Sequence, residues 1–142
     1  MAKRIGSAVW QGDLKDGKGT FRVGSGAFEG KYSSSTRFED EPGTNPEELI
    51  AAAHASCYSM AFAAGLARAG FTPDSVSTTA NITFEKLEEG WRITNIQLVC
   101  EAKVPGIDAD LFAEKAQAAK TGCPISNALR AVDITLDAKL VS

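Results

Sequence analysis

Three cysteines, Cys57, Cys100 and Cys123, and a single histidine, His54, carry the chain's clearest capacity for chemistry. A thiolate, not a thiol, attacks electrophiles, so each cysteine is judged by what would ionise it. Cys123 follows Gly122 and precedes Pro124. That places it at a helix start, where free N–H groups and the helix dipole stabilise negative charge. Cys57 falls well inside a helical stretch, beyond the reach of that dipole, and read alone it is a small core hydrophobe. Cys100 occupies the apolar phase of a strand and also reads as core. His54 lies three residues before Cys57, on the same helix face, which invites a Cys–His nucleophile. No third group stands by to orient it, so a packed or interface side chain is the competing reading. One histidine and no Cys-x-x-Cys pair leave zinc without its four close ligands. From residue types and spacing alone, Cys123 is the reactive thiol.

The elements that must position these residues are legible in outline. Residues 3–12 and 19–26 read as strands joined by the Gly-rich turn "QGDLKDGKG". Residues 31–44 are polar and turn-rich, with a short strand expected around Thr36–Glu39, and they deliver Arg37 to the next element. Asn45, Pro46 and Glu48 form a helix-start signature of cap, first-turn proline and capping-box carboxylate. Glu47 and Glu48 complement the positive end of the dipole. The helix should run to about Ala69 and stop at Gly70. It is Ala-rich and lacks a polar face, which predicts burial on all sides. Val76, Thr78, Ala80, Ile82 and Phe84 alternate with polar residues as a half-buried strand. After the turn "EEGW", residues 91–103 return, with Ile96, Leu98, Cys100 and Ala102 on one face. Helices follow over 108–122, capped by Asp108, and over 123–130. A last strand, 132–141, turns Val132, Ile134, Leu136, Ala138 and Leu140 inward. Antiparallel strands with helices grouped between them make an α+β fold.

The chain's 142 residues suit a single domain spanning 1–142. A hydrophobic content of 44% and a charged content of 23% are those of an ordinary globular protein. A net charge of −3 with no basic run argues against nucleic acid as a partner. "MAKRIGSAVWQG" lacks the apolar region of a signal peptide. The stretch from Leu49 to Leu66 is long enough to raise the question of a membrane span. His54, Ser56 and Ser59 within it favour a buried helix and no membrane partner. A cytoplasmic protein is expected, with cysteines that are free or redox-active.

"TRFEDEPGTNPEELIAAAHASC" (36–57) and "GCPISNALR" (122–130), taken together, resemble the two cysteine motifs of the OsmC/Ohr family, osmotically inducible protein C and organic hydroperoxide resistance protein. "GFTP" after the long helix, "VPGID" before the second and the β-rich N-terminus extend the resemblance over essentially the whole chain. The form "TRFE…GTNPEELI…AAH" is closer to the OsmC branch. The resemblance implies an OsmC-like fold with a long buried central helix, in an intertwined homodimer with sites at the interface. It implies a thiol peroxidase acting on organic hydroperoxides and, less well, hydrogen peroxide. By position, Cys57 matches the peroxidatic cysteine, Cys123 the resolving one, Arg37 the arginine that activates the thiolate, and Glu47 the carboxylate that holds that arginine. The roles of Cys57 and Cys123 are thus reversed from the reading by residue type. No metal, haem or flavin is required; the other partner is an external thiol, lipoyl or another small dithiol at family level.

The implied site sets a geometric problem. Ten residues of helix between Glu47 and Cys57 rise about 15 Å. Glu47 therefore cannot hold an arginine that touches Cys57 unless the helix breaks or a second chain contributes. Leu49, Ile50 and Phe62 are candidates to line a pocket for an apolar peroxide. Two other readings remain: a dimeric module that binds or senses an apolar ligand without catalysis, and a thiol hydrolase built on Cys57 and His54.

Overall fold

The computed structural model describes Met1–Ser142 and separates into two compact units, Met1–Leu49 and Ile50–Ser142. In the first, β1 (Gly6–Gln11), β2 (Lys18–Val23) and β3 (Glu29–Tyr32) form an antiparallel sheet in the order β1-β2-β3. Aromatic residues stitch it together: Trp10 lies 5.6 Å from Tyr32 between ring centroids, and Phe21 lies 5.7 Å from Phe28 and 6.3 Å from Tyr32. Gly19 pairs with Tyr32 across the ladder, and a Cβ there would fall 2.5 Å from the ring. The strand expected around Thr36–Glu39 is a helix, α1 (Ser34–Phe38). The extended segment lies earlier, at β3. Ser33 caps α1 through the Thr36 amide, and the Thr36 hydroxyl accepts from the Ser33 amide in return. That local bonding competes successfully with strand pairing.

α2 (Pro46–Arg68) begins in the first unit and continues through the second without interruption. Asn45 Oδ1 accepts from the Glu48 amide at 2.8 Å, as the start signature requires. At the other end Gly70 turns the chain out with φ +91°, a left-handed conformation that suits glycine.

In the second unit β4 (Ser75–Leu87) and β5 (Gly90–Lys103) form a long antiparallel hairpin. α3 (Ala109–Gly122) and α4 (Pro124–Ala128) follow, and β6 (Asp133–Val141) pairs with β5. That last pairing is parallel, so this sheet is mixed and not antiparallel throughout as expected. The reason lies in the connection: a helical crossover between β5 and β6 returns the chain in the same direction, which a tight hairpin cannot do. The core is Tyr58, Phe62 and Leu66 of α2 with Ile96, Leu98, Cys100 and Ala102 of β5, joined by Phe112, Ala116 and Ala119 of α3. Phe62 is fully buried, 5.3 Å from the Phe112 ring, so it is a core residue and not a pocket wall.

The prediction that α2 is buried on all sides does not hold in this chain. Its buried residues are His54, Tyr58, Phe62 and Leu66, one stripe at helical spacing. Ala52, Ala53, Ser56, Ala64 and Ala67 are exposed, and Met60 is 75% exposed. Within the second unit this stripe packs against β5 and α3, and the opposite apolar stripe is left exposed. By length and composition alone α2 is apolar enough to cross a membrane, with a mean hydropathy of 1.4, as the core helix of a globular protein also can be.

Candidate active site

α2 and α4 bring two thiols together. Cys123 ends α3 and starts α4, with its amide donating to the Ala119 carbonyl at 2.9 Å. Pro124 at the first helical position of α4 makes the corner. The Cys123 Sγ lies 2.8 Å from the Cys57 Sγ, and both are free thiols. Their accessibilities differ: Cys123 is completely buried, whereas Cys57 is partly exposed. Burial pushes the Cys57 thiol up, the Cys123 sulfur pushes it further the same way, and the Ile125 backbone N–H pulls it partly back. A thiol so placed needs a cation to make it a nucleophile at neutral pH.

In the first unit, Arg37 of α1 and Glu47 in the first turn of α2 form a two-pronged ion pair. Nε donates to Oε1 at 2.9 Å and Nη2 to Oε2 at 3.0 Å. This fork-to-fork geometry fixes the plane of the guanidinium as well as its charge. α1 sets the base of Arg37, the Asn45 side chain donates to the Thr36 carbonyl at 3.1 Å, and the start of α2 sets Glu47. The remaining guanidinium surface lies over the Phe38 ring, 5.2 Å from its centroid.

His54 does not bond a sulfur. Its Nε2 lies 2.7 Å from the Ser126 hydroxyl, in a fully buried contact, and its Nδ1 has no partner. Burial lowers the imidazole's proton affinity, so the ring is neutral at pH 7. The Cys57–His54 nucleophile is therefore not assembled here. Cys100 is fully buried between Thr78 on β4 and Ala138 on β6. Sequence reasoning missed Ser126 as the partner of His54 and the Ile125 amide beside Cys57. No signal marked either, because both depend on how α4 docks on α2.

Comparison with known proteins gives the chain a family. The family model for OsmC-like proteins matches residues 38–137. The chain is 53% identical over 138 residues to the Escherichia coli protein named peroxiredoxin OsmC, covering 96% of each chain. It is 34% identical over 96 residues to an organic hydroperoxide resistance protein of Xanthomonas axonopodis pv. citri, covering 66% of each. Among solved structures, the organic hydroperoxide resistance protein OhrB of Bacillus subtilis superposes with a TM-score of 0.74 at 24% identity, covering 95% of this chain and 98% of that one. An OsmC-like protein of Vibrio cholerae superposes with a TM-score of 0.77 at 18% identity, covering 97% and 99%; these two likenesses speak to the fold. A family model that spans both Cys57 and Cys123, and a relative that matches nearly end to end, show that this chain belongs to the OsmC-like protein family.

Proposed function

We propose that this protein is a thiol-dependent peroxidase that reduces organic hydroperoxides, and hydrogen peroxide less well. The observation that carries the reading is the Cys57–Cys123 pair: one thiol open to solvent, one sealed, at 2.8 Å. The Cys57 thiolate attacks the terminal peroxide oxygen, and the O–O bond breaks. The alcohol leaves with a proton, and Cys57 is left as a sulfenic acid. The Cys123 thiol then attacks that sulfur; the S–O bond breaks, water leaves and a disulfide forms. An external dithiol, lipoyl or another small thiol, returns both cysteines to the reduced state by exchange. The accessible thiol meets the peroxide, and the sealed one meets only its neighbour. Exposure thus supports Cys57 as the attacking residue, in agreement with the family motif and against the helix-start argument for Cys123. The chemistry suits a reducing compartment, and we place the protein in the cytoplasm.

Arg37 supplies the cation in this reading, and Glu47 orients it. α2 is one unbroken helix, so Glu47 and Cys57 stand about 15 Å apart along it. Arg37 is clasped by the Glu47 of its own chain. We therefore assign the Arg37–Glu47 pair of one chain to the Cys57 of a second, in a two-fold homodimer with two equivalent sites. The exposed apolar stripe of α2, from Ala52 and Ala53 through Met60 to Ala67, is what such a dimer would cover.

Consumption of cumene hydroperoxide and hydrogen peroxide, compared side by side with several dithiols, tests the activity. Faster turnover of the organic peroxide and a Cys57–Cys123 disulfide by mass are expected; no thiol loss with either peroxide would leave only a ligand-binding role. Mixing Glu47→Ala with Cys57→Ser chains tests the shared site. Subunit exchange should recover activity that neither parent shows, and verified exchange without recovery would refute the sharing.

A further inference from the structure

His54 and Ser126 repeat the geometry of the cysteines one helical turn away. His54 precedes Cys57 by three residues on α2, and Ser126 follows Cys123 by three residues on α4. Two cross-links thus join the same two helices: Nε2 to Oγ at 2.7 Å and Sγ to Sγ at 2.8 Å. The two links stand about 4.5 Å apart along α2. α4 has only five residues, too short to hold its own position, so its register over α2 must come from such tertiary contacts.

Stability does not explain the pair. His54 is 0% and Ser126 5% exposed, and burying two polar groups costs more than one hydrogen bond between them returns. The cost is compounded by Nδ1, which is buried with no partner. Either Nε2 or the Ser126 hydroxyl can be the donor in this bond, and with either tautomer Nδ1 stays without a partner. An apolar pair of similar volume would fold at least as well. What the pair supplies is direction, because a hydrogen bond fixes an angle and a distance that apolar packing leaves loose.

We propose that the buried His54–Ser126 hydrogen bond is a clamp that holds Cys123 over Cys57, so that disulfide closure outruns further oxidation of the attacking sulfur. The inference rests on the reading of Cys57 and Cys123 as a redox pair. Two fates compete for the Cys57 sulfenic acid. In closure the Cys123 thiol displaces hydroxyl, which leaves as water with the thiol proton. In the competing path a second hydroperoxide transfers an oxygen to the same sulfur, giving a sulfinic acid and another alcohol. The first rate depends on the effective concentration of Cys123 at Cys57, which the clamp sets. His54 and Ser126 bond each other and not the sulfurs, so they are positioning residues.

The test uses Ser126→Ala, Ser126→Thr and the double variant His54→Leu/Ser126→Ala. The double variant leaves no polar group stranded and so remains folded where Ser126→Ala alone fails. Cumene hydroperoxide is added at fixed excess, and sulfinic acid and disulfide at Cys57 are counted by mass. The sulfinic-to-disulfide ratio should rise about tenfold in the two variants that lack the bond, and Ser126→Thr should return it to within about twofold. Equilibration with glutathione buffers gives a second readout that needs no peroxide. There the disulfide's formation constant should fall about tenfold, an upward shift of about 30 mV in reduction potential. A purely structural role would lower the melting temperature of Ser126→Ala and leave both readouts unmoved in the double variant, and that result overturns the clamp. Should the wild type consume no peroxide while the glutathione equilibrium still shifts, the clamp stands and the peroxidase reading falls.

Discussion

The junction of α2 with α4 and the middle of the β4–β5–β6 sheet each hold a cysteine whose thiol is pushed up by burial. Their surroundings diverge from there. Cys57 is partly open and has a second sulfur at 2.8 Å. Cys100 is sealed, with Thr78 across one ladder and Ala138 across the other. A Thr78 hydrogen bond favours its thiolate slightly, and the neighbouring Glu101 charge opposes it. The titration of the isolated thiol thus fails to separate a reactive cysteine from a structural one. Access for an oxidant and a partner for the oxidised sulfur do.

That contrast breaks first at Cys57. Cys57→Ser should lower peroxide turnover on the order of 10³-fold or more, since it removes the one thiol open to solvent. Substantial residual turnover in coupled dithiol assays would transfer the role to another thiol. Removing the partner should cost less. Cys123→Ser should still react once, giving a sulfenic acid that dimedone traps, while steady cycling falls on the order of 100-fold. Normal cycling with a dithiol would show that nearness of the two sulfurs is incidental. Access without a cation is the next case. Arg37→Met should push the Cys57 thiol further up and slow attack about tenfold at neutral pH. Alkylation rates followed against pH report this directly, and an unmoved profile in a folded variant removes Arg37 from the site.

The smallest effect belongs to Cys100. Cys100→Ser should leave peroxide chemistry within about twofold but cost about 1–3 kcal/mol of stability through a buried hydroxyl. Denaturant unfolding alongside the activity assay separates the two. The sign of the pH dependence follows from the raised thiol. Stabilisation by the neutral buried group is fully present below the ordinary cysteine value of 9.0 and is lost as pH rises toward the folded value. Cys100→Ala should therefore flatten the alkaline fall in stability above pH 9, and an unchanged slope would mean that Cys100 ionises freely in the folded chain.

Local signals carried far in this protein. Asn45, Pro46 and Glu48 mark the start of α2 to the residue, because capping is settled within one turn. The alternation of Ile96, Leu98, Cys100 and Ala102 identified both a strand and its buried face, because side-chain direction in a strand has a period of two. Composition around Thr36–Glu39 points to a strand and not to α1, because the reciprocal bonding of Ser33 and Thr36 leaves only weak traces in composition. The Arg37–Glu47 pairing came from a motif, and no spacing rule would have found it.

The sequence by itself determined the long helix with its start, the β4–β5 hairpin, the last strand and the family, since caps, periodicity and motif spacing are written along the chain. Only the tertiary structure decided which thiol is open and which is sealed. Local dipole reasoning chose Cys123, and the packing of α4 on α2 buries it. Only the tertiary structure joined His54 to Ser126, across seventy-two positions of chain. It also decided that β6 runs parallel to β5 and that α2 buries a single stripe. The physical reason is common to all four: exposure, parallel pairing and hydrogen bonds between distant residues depend on how finished elements dock. No window of sequence holds both partners of such a contact.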